Sequence, residues 1–201
     1  KIAVAFKKQL SDSEYLTEKT VSIPLKVVGR RFATGDFLDR VPEHKTEKGR
    51  IPVEFDKIWL DFFIKTQERK LIFNGKPLVI GLKKENPIIH NPHDDVWELC
   101  DSQKPYSNGE HRLGFFYQSV LIKDQISISK IESMIKQVFG LLEQAFLKRK
   151  IMLVSLDLKF GLNPKGQLVI TSTFGSESLH LCDRDFNDVT EQFFKDGEGL
   201  K

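Results

Sequence analysis

Cysteine is scarce in this chain. Cys100 and Cys182 are the only two, with no Cys-x-x-C pair, which excludes a structural zinc site of the cysteine type and allows at most one internal disulfide. Long apolar runs are missing as well: the purest stretches are short pieces such as Ile151-Met152-Leu153-Val154, far below the roughly 18 residues of a membrane-spanning helix. Nor does one charge dominate. The 31 Lys and Arg are interspersed with 28 Asp and Glu for a net charge of +3, so neither a nucleic-acid partner nor a membrane partner is expected. What the chain does have is 16 phenylalanines and 40% hydrophobic residues, enough for a core of its own over a single domain spanning 1–201. It starts at Lys1 with no charged-then-apolar leader, so a further segment is expected to precede it. In a secreted chain Cys100 and Cys182 would pair; in a reducing compartment they would stay buried thiols.

Ile2 to Phe6 and Val21 to Val28 read as strands around a polar turn near Ser11 to Glu14. Phe55 to Phe63 reads as a strand or a short amphipathic helix. Asn74-Gly75, Asn86-Pro87, Asn91-Pro92, Pro105 and Asn108-Gly109 crowd turn formers into a long surface loop, expected as an insertion at about 74–109. From Ile131 to Phe146 apolar residues recur at helical spacing, with Ser129 and Glu132 as a capping box and Lys148, Arg149 and Lys150 at the end favoured by the helix dipole. Two strands, Ile151 to Phe160 and Gln167 to Thr173, then form a hairpin through Gly161 to Gly166.

Three segments carry a family resemblance. Arg30-Arg31-Phe32-Ala33-Thr34-Gly35-Asp36-Phe37-Leu38-Asp39-Arg40, Leu153-Val154-Ser155-Leu156-Asp157-Leu158-Lys159-Phe160-Gly161, and Arg184-Asp185-Phe186-Asn187-Asp188-Val189-Thr190 occur in the order of matching segments in the animal-type phosphoribosylaminoimidazole-succinocarboxamide synthase (SAICAR synthetase) family. The resemblance covers most of the chain. It implies an α/β (α+β) fold, a mostly antiparallel sheet backed by the helix from Ser129 to Lys150. It also implies a family activity joining a carboxylated aminoimidazole ribotide to aspartate with ATP and Mg²⁺, an N-terminal nucleotide-binding lobe expected before Lys1, and a cytoplasmic location.

The chain departs from the family pattern where the chemistry lies. Ser155, Asp157 and Lys159 stand where the family strand has Asp, Lys and a metal-binding Glu, and Ser172 stands at the second metal acid. Hard divalent ions take oxygen ligands, and Lys159 with Ser172 would repel or ignore one. Arg30 matches a family arginine, Asp36 replaces a phosphate-binding hydroxyl, and His180 replaces a later arginine. The expectation is therefore a non-catalytic relative, without cofactor, that binds a small planar or anionic ligand through Arg30, Arg31, Gly35, Asp36 and His180, in a pocket that the phenylalanines could line. An active synthetase using ATP and Mg²⁺ is the alternative, and an assembly domain, as a homo-oligomer or with the lobe on another chain, is the third. Asp157 and Lys159 share a strand face and are expected to pair, inverting a family Lys and Glu. His90-x-x-His93 with Asp94-Asp95 has metal-ligand composition but lies in a turn-rich stretch.

Overall fold

The computed structural model describes residues 2–10, 15–47, 51–66, 70–73, 76–80, 87–122 and 126–195. Along the chain come β1 (Phe6–Gln9), β2 (Tyr15–Thr17), β3 (Val21–Phe32), α1 (Phe37–Arg40), β4 (Glu54–Ile64), β5 (Leu71–Phe73), β6 (Lys76–Val79), β7 (Ile88–Ile89), β8 (Val96–Cys100) and β9 (Arg112–Tyr117). These are followed by α2 (Gln118–Leu121), α3 (Ile128–Leu147), β10 (Met152–Leu162), β11 (Leu168–Ile170), β12 (Leu179–Cys182) and α4 (Thr190–Lys195). One eight-stranded sheet runs β11-β10-β3-β4-β7-β8-β9, with β12 sharing the β11 edge of β10. All of its strand pairs are antiparallel. The pairs β1-β2 and β5-β6 stand apart as two-stranded ribbons.

Alternation along the three long central strands makes the sheet two-faced. Leu25 and Val27 of β3, Phe62 and Ile64 of β4, and Leu156, Leu158 and Phe160 of β10 point to one side and form the main core with Ile131, Ile135, Phe139 and Phe146 of α3. A bulge between Leu153 and Ser155 resets the alternation, so Leu153 joins that core too while Val154 packs with Phe32 and Cys182 on the other side.

The sequence expectation for α3 holds in position but not in its cap. Ser127, not Ser129, accepts the Lys130 amide at 3.2 Å, and Glu132 instead meets His93 and Lys136. Ile128 is buried, so the first turn must start early enough to bring it onto the core. The helix ends at Leu147, and Lys150 turns away in the left-handed region at φ 61°. The segment read as a loop over 74–109 needs a larger correction: β6, β7, β8 and a 3₁₀ turn at Tyr106–Asn108 lie within it. Its turn formers separate strands too short to show a period. Asn91, for example, holds Asp94 and the Val96 carbonyl at 2.7 and 3.0 Å to make the β7–β8 turn. Ser11 to Glu14, Asn74-Gly75 and Asn86 fall outside the described residues. Phe55 to Phe63 is strand throughout: β3 pairs along one edge and β7 along the other at Phe62 and Phe63.

Candidate functional site

One residue step on β3 separates two environments. Gly29 lies under α3, where a Cβ would come within 3.2 Å of Phe139 and 3.3 Å of Ile58. Arg31, on the same face, is locked to Glu143 of α3 by bonds of 2.7 and 2.9 Å. Arg31 therefore lies on the helix side of the sheet and does not join the residues expected beside it as ligand contacts. Lys26, Val28 and Arg30 face the opposite side, where α1 and the β11–β12 connection enclose a cleft of ≈ 360 Å³.

Arg30 is 5% exposed and its charge is already matched. Its Nε donates to Asp61 Oδ2 at 2.9 Å and its Nη2 to Asp36 Oδ1 at 2.7 Å. Arg40, buried from α1, donates to the same two carboxylates, and Trp59 Nε1 gives Asp61 Oδ1 a further bond at 3.0 Å. Burial alone would raise the Asp36 pKa, but Arg30 and Arg40 outweigh it and hold this carboxyl below its ordinary value. Gly35 serves conformation: its φ of 59° lets the chain turn Asp36 back over Arg30, and nothing would crowd a side chain there. Neither Asp61 nor the closing role of Arg40 was singled out from sequence; the available signal was a lone acid among the apolar residues of Trp59 to Ile64.

Across the cleft, β10 presents Ser155 and Asp157. The expected pairing of Asp157 with Lys159 gives way to Lys26 of the adjacent β3, whose Nζ lies 3.2 Å from Asp157 Oδ2; a cross-strand diagonal offers a shorter reach than two residues along one strand. Asp157 Oδ1 is buried without a hydrogen-bond partner. Lys159 is exposed, and its amide donates to Ser172 Oγ at 2.5 Å. The positions where the resemblance places two metal acids are thus adjacent and hold an ammonium and a hydroxyl. His180 of β12 completes the cleft, its Nε2 lying 3.6 Å from Asp188 Oδ2 and 3.7 Å from Cys182 Sγ. Burial keeps its pKa below the usual value; Asp188 opposes this and Arg30 reinforces it.

Among the described residues no Phe, Tyr or Trp lines the cleft; the phenylalanines that sequence reading offered to a pocket lie largely in the apolar clusters. The two cysteines are free and buried in separate apolar clusters, Cys100 with Val28, Phe63 and Ile88, Cys182 with Phe32 and Val154. His90 and His93 also part company: His93 meets Glu132 at 3.0 Å, whereas His90 meets Glu98 at 3.2 Å. The β7–β8 turn points the two rings at different elements, so the His90-x-x-His93 set does not converge.

This two-faced antiparallel sheet, with a helix on one side and a polar cleft on the other, matches the fold of solved SAICAR synthetases. Of the solved structures, the SAICAR synthetase of Pyrococcus horikoshii OT3 matches with a TM-score of 0.62 and 18% identity, covering 98% of this chain and 68% of that one. A SAICAR synthetase in complex with ADP matches with a TM-score of 0.63 and 18% identity over 98% of this chain and 66% of that one. In sequence, the chain is 23% identical over 198 residues to the phosphoribosylaminoimidazole-succinocarboxamide synthase of Streptococcus pneumoniae (strain Hungary19A-6), covering 98% of this chain and 66% of the relative. It is also 23% identical over 194 residues to that of Streptococcus uberis (strain ATCC BAA-854 / 0140J). The chain spans just under two thirds of the length of these curated relatives. No family model matches it. These relatives are bacterial and archaeal, which corrects the animal-type attribution: the matching segments encode a strand end, a turn and a strand, local geometry that the wider fold needs and that does not resolve a branch.

Proposed function

We propose that this chain uses a SAICAR-synthetase-like fold to hold a small, polar, phosphate-free molecule in the cleft between Arg30, Asp36 and His180. The observation that carries the reading is Asp157 Oδ1, a buried carboxylate oxygen beside the cleft that lacks a donor; leaving such an atom unpaired is costly, and a ligand N–H or O–H would satisfy it. The charge balance supports the same class. Asp36, Asp157 and Glu177 outnumber Lys26 and Arg30 along the lining, and Arg30 is bonded to two carboxylates, so a phosphate dianion would meet compensated cations. Of the planar and anionic ligands expected from sequence, a planar molecule with donors for Asp36 and Asp157, and at most one carboxylate, suits this lining. His180, neutral near pH 7, can donate or accept.

Mg²⁺ does not suit the residues present. Lys159 and Ser172 supply no carboxylate, Asp157 is tied to Lys26, and among the described residues no three ligating side chains of the cleft converge on one point. The ligase reading is favoured by the 23% identity to synthetases over nearly the whole chain. Turnover separates the two: with the carboxylated ribotide, aspartate, ATP and Mg²⁺, the binding reading expects no product above background. Product formation that depends on this chain would replace it with the ligase reading.

A further inference from the structure

A second group of chemically active side chains lies on the cleft side of the sheet, beyond β4, on β8 and just before β9. Glu98 and Cys100 are two apart on β8 and so share a face. His111 enters from the start of β9, where its carbonyl accepts the Asp101 amide at 2.6 Å. One donor atom from each of Glu98, Cys100 and His111 lies within 4.8 Å of the others. We propose that these three residues form a binding site for one divalent transition-metal ion of the zinc class, held by a carboxylate oxygen, a thiolate sulfur and an imidazole nitrogen.

Independent observations point to a ligand here. His111 is 5% exposed, and its Nδ1 is buried with no hydrogen-bond partner; a buried ring nitrogen in that state needs a hydrogen-bond partner or a metal. The donor set selects the ion. Sulfur and imidazole nitrogen suit zinc, cobalt or copper, whereas magnesium and calcium demand oxygen. Charge also closes: a glutamate and a thiolate supply two negative charges to a neutral imidazole, so a bound dication leaves a neutral centre in a buried place. A tetrahedral zinc centre sets its donors about 3.5 Å apart, so a separation of 4.8 Å at most closes by side-chain rotation. The remaining position falls to water.

The surroundings define how binding proceeds. Cys100 is buried against Val28, Phe63 and Ile88; as the metal–sulfur bond forms, the thiol proton is displaced and leaves to solvent. His90 Nδ1 lies 3.2 Å from Glu98 Oε2 and orients that carboxylate, and the Tyr106 ring covers both imidazoles, 5.0 Å from His90 and 5.3 Å from His111. Arg112 pairs with the other Glu98 oxygen and competes with the ion, but its side chain is 53% exposed and can swing into solvent.

The test uses the full chain, stripped of metal and titrated with Co²⁺ and then Zn²⁺. One equivalent of Co²⁺ should produce a thiolate-to-cobalt charge-transfer absorption that Zn²⁺ bleaches. Cys100→Ser should abolish that band and Cys182→Ser should keep it. Glu98→Gln and His111→Gln, checked for folding by circular dichroism, should weaken binding about tenfold or more, while Arg112→Gln should tighten it. Absence of the band at stoichiometric Co²⁺, a band that survives Cys100→Ser, or unchanged affinity in the folded Glu98→Gln protein would overturn the assignment.

Discussion

Asp61 carries more of the cleft's architecture than any residue that lines it. It accepts from Arg30, Arg40 and Trp59 at 4% exposure, so neutralising it strands two buried guanidiniums with Asp36 alone. Asp61→Asn should cost about 3–5 kcal/mol of stability, read by denaturant unfolding; a loss under 1 kcal/mol would mean that the pairs behave like exposed ones. Asp36 acts on pH. Its folded pKa lies below that of the unfolded chain, so its stabilisation is present above about pH 3.9 and is lost as the pH falls through the lower folded value. Asp36→Asn should flatten that acid limb. His180 has the same sense by another cause: burial favours its neutral form, so its contribution is full above about pH 6.5 and declines below it. An NMR titration of its ring should show a midpoint below that of a free imidazole; a midpoint above it would make Asp188 the stronger influence.

Two contacts decide how β3 and α3 meet. Gly29 lets Phe139 and Ile58 close over the strand, so Gly29→Val should overpack the interface and cost about 1–3 kcal/mol in thermal or denaturant unfolding. Ser127→Ala should cost about 1 kcal/mol through the lost helix cap, whereas Ser129→Ala should cost little. The same elements show what was legible in the sequence. The 3.6-residue period placed α3 because twenty helical residues repeat one face several times, but two serines two residues apart offered equal caps, and only the burial of Ile128 decides between them. The alternation of β10 likewise put Asp157 and Lys159 on one face, while Arg30 lay past the strand read over Val21 to Val28. That pattern could not reveal the inter-strand register, and register is what gives Asp157 to Lys26 and Asp61 to Arg30. Short strands such as β7, with two residues, carry no period at all, so the turn formers around them dominated the reading.

At the scale of the whole molecule, the sheet and its covering helix follow the fold of solved SAICAR synthetases, while the side chains facing the cleft bond mainly to one another or leave an acceptor open toward it. With Lys159 and Ser172 where the resemblance places two metal acids, Mg²⁺-ATP should bind no tighter than about the millimolar range in calorimetry at low salt. The central claim is that the cleft takes a small polar molecule and does not take a phosphate dianion. It is tested most directly by titrating the chain, in one calorimeter and one buffer, with aminoimidazole ribotide and with the same molecule lacking its phosphate. The account predicts that the dephosphorylated ribonucleoside binds at least as tightly and loses affinity in Asp157→Asn; tighter binding of the ribotide, unaffected by that substitution, would contradict it.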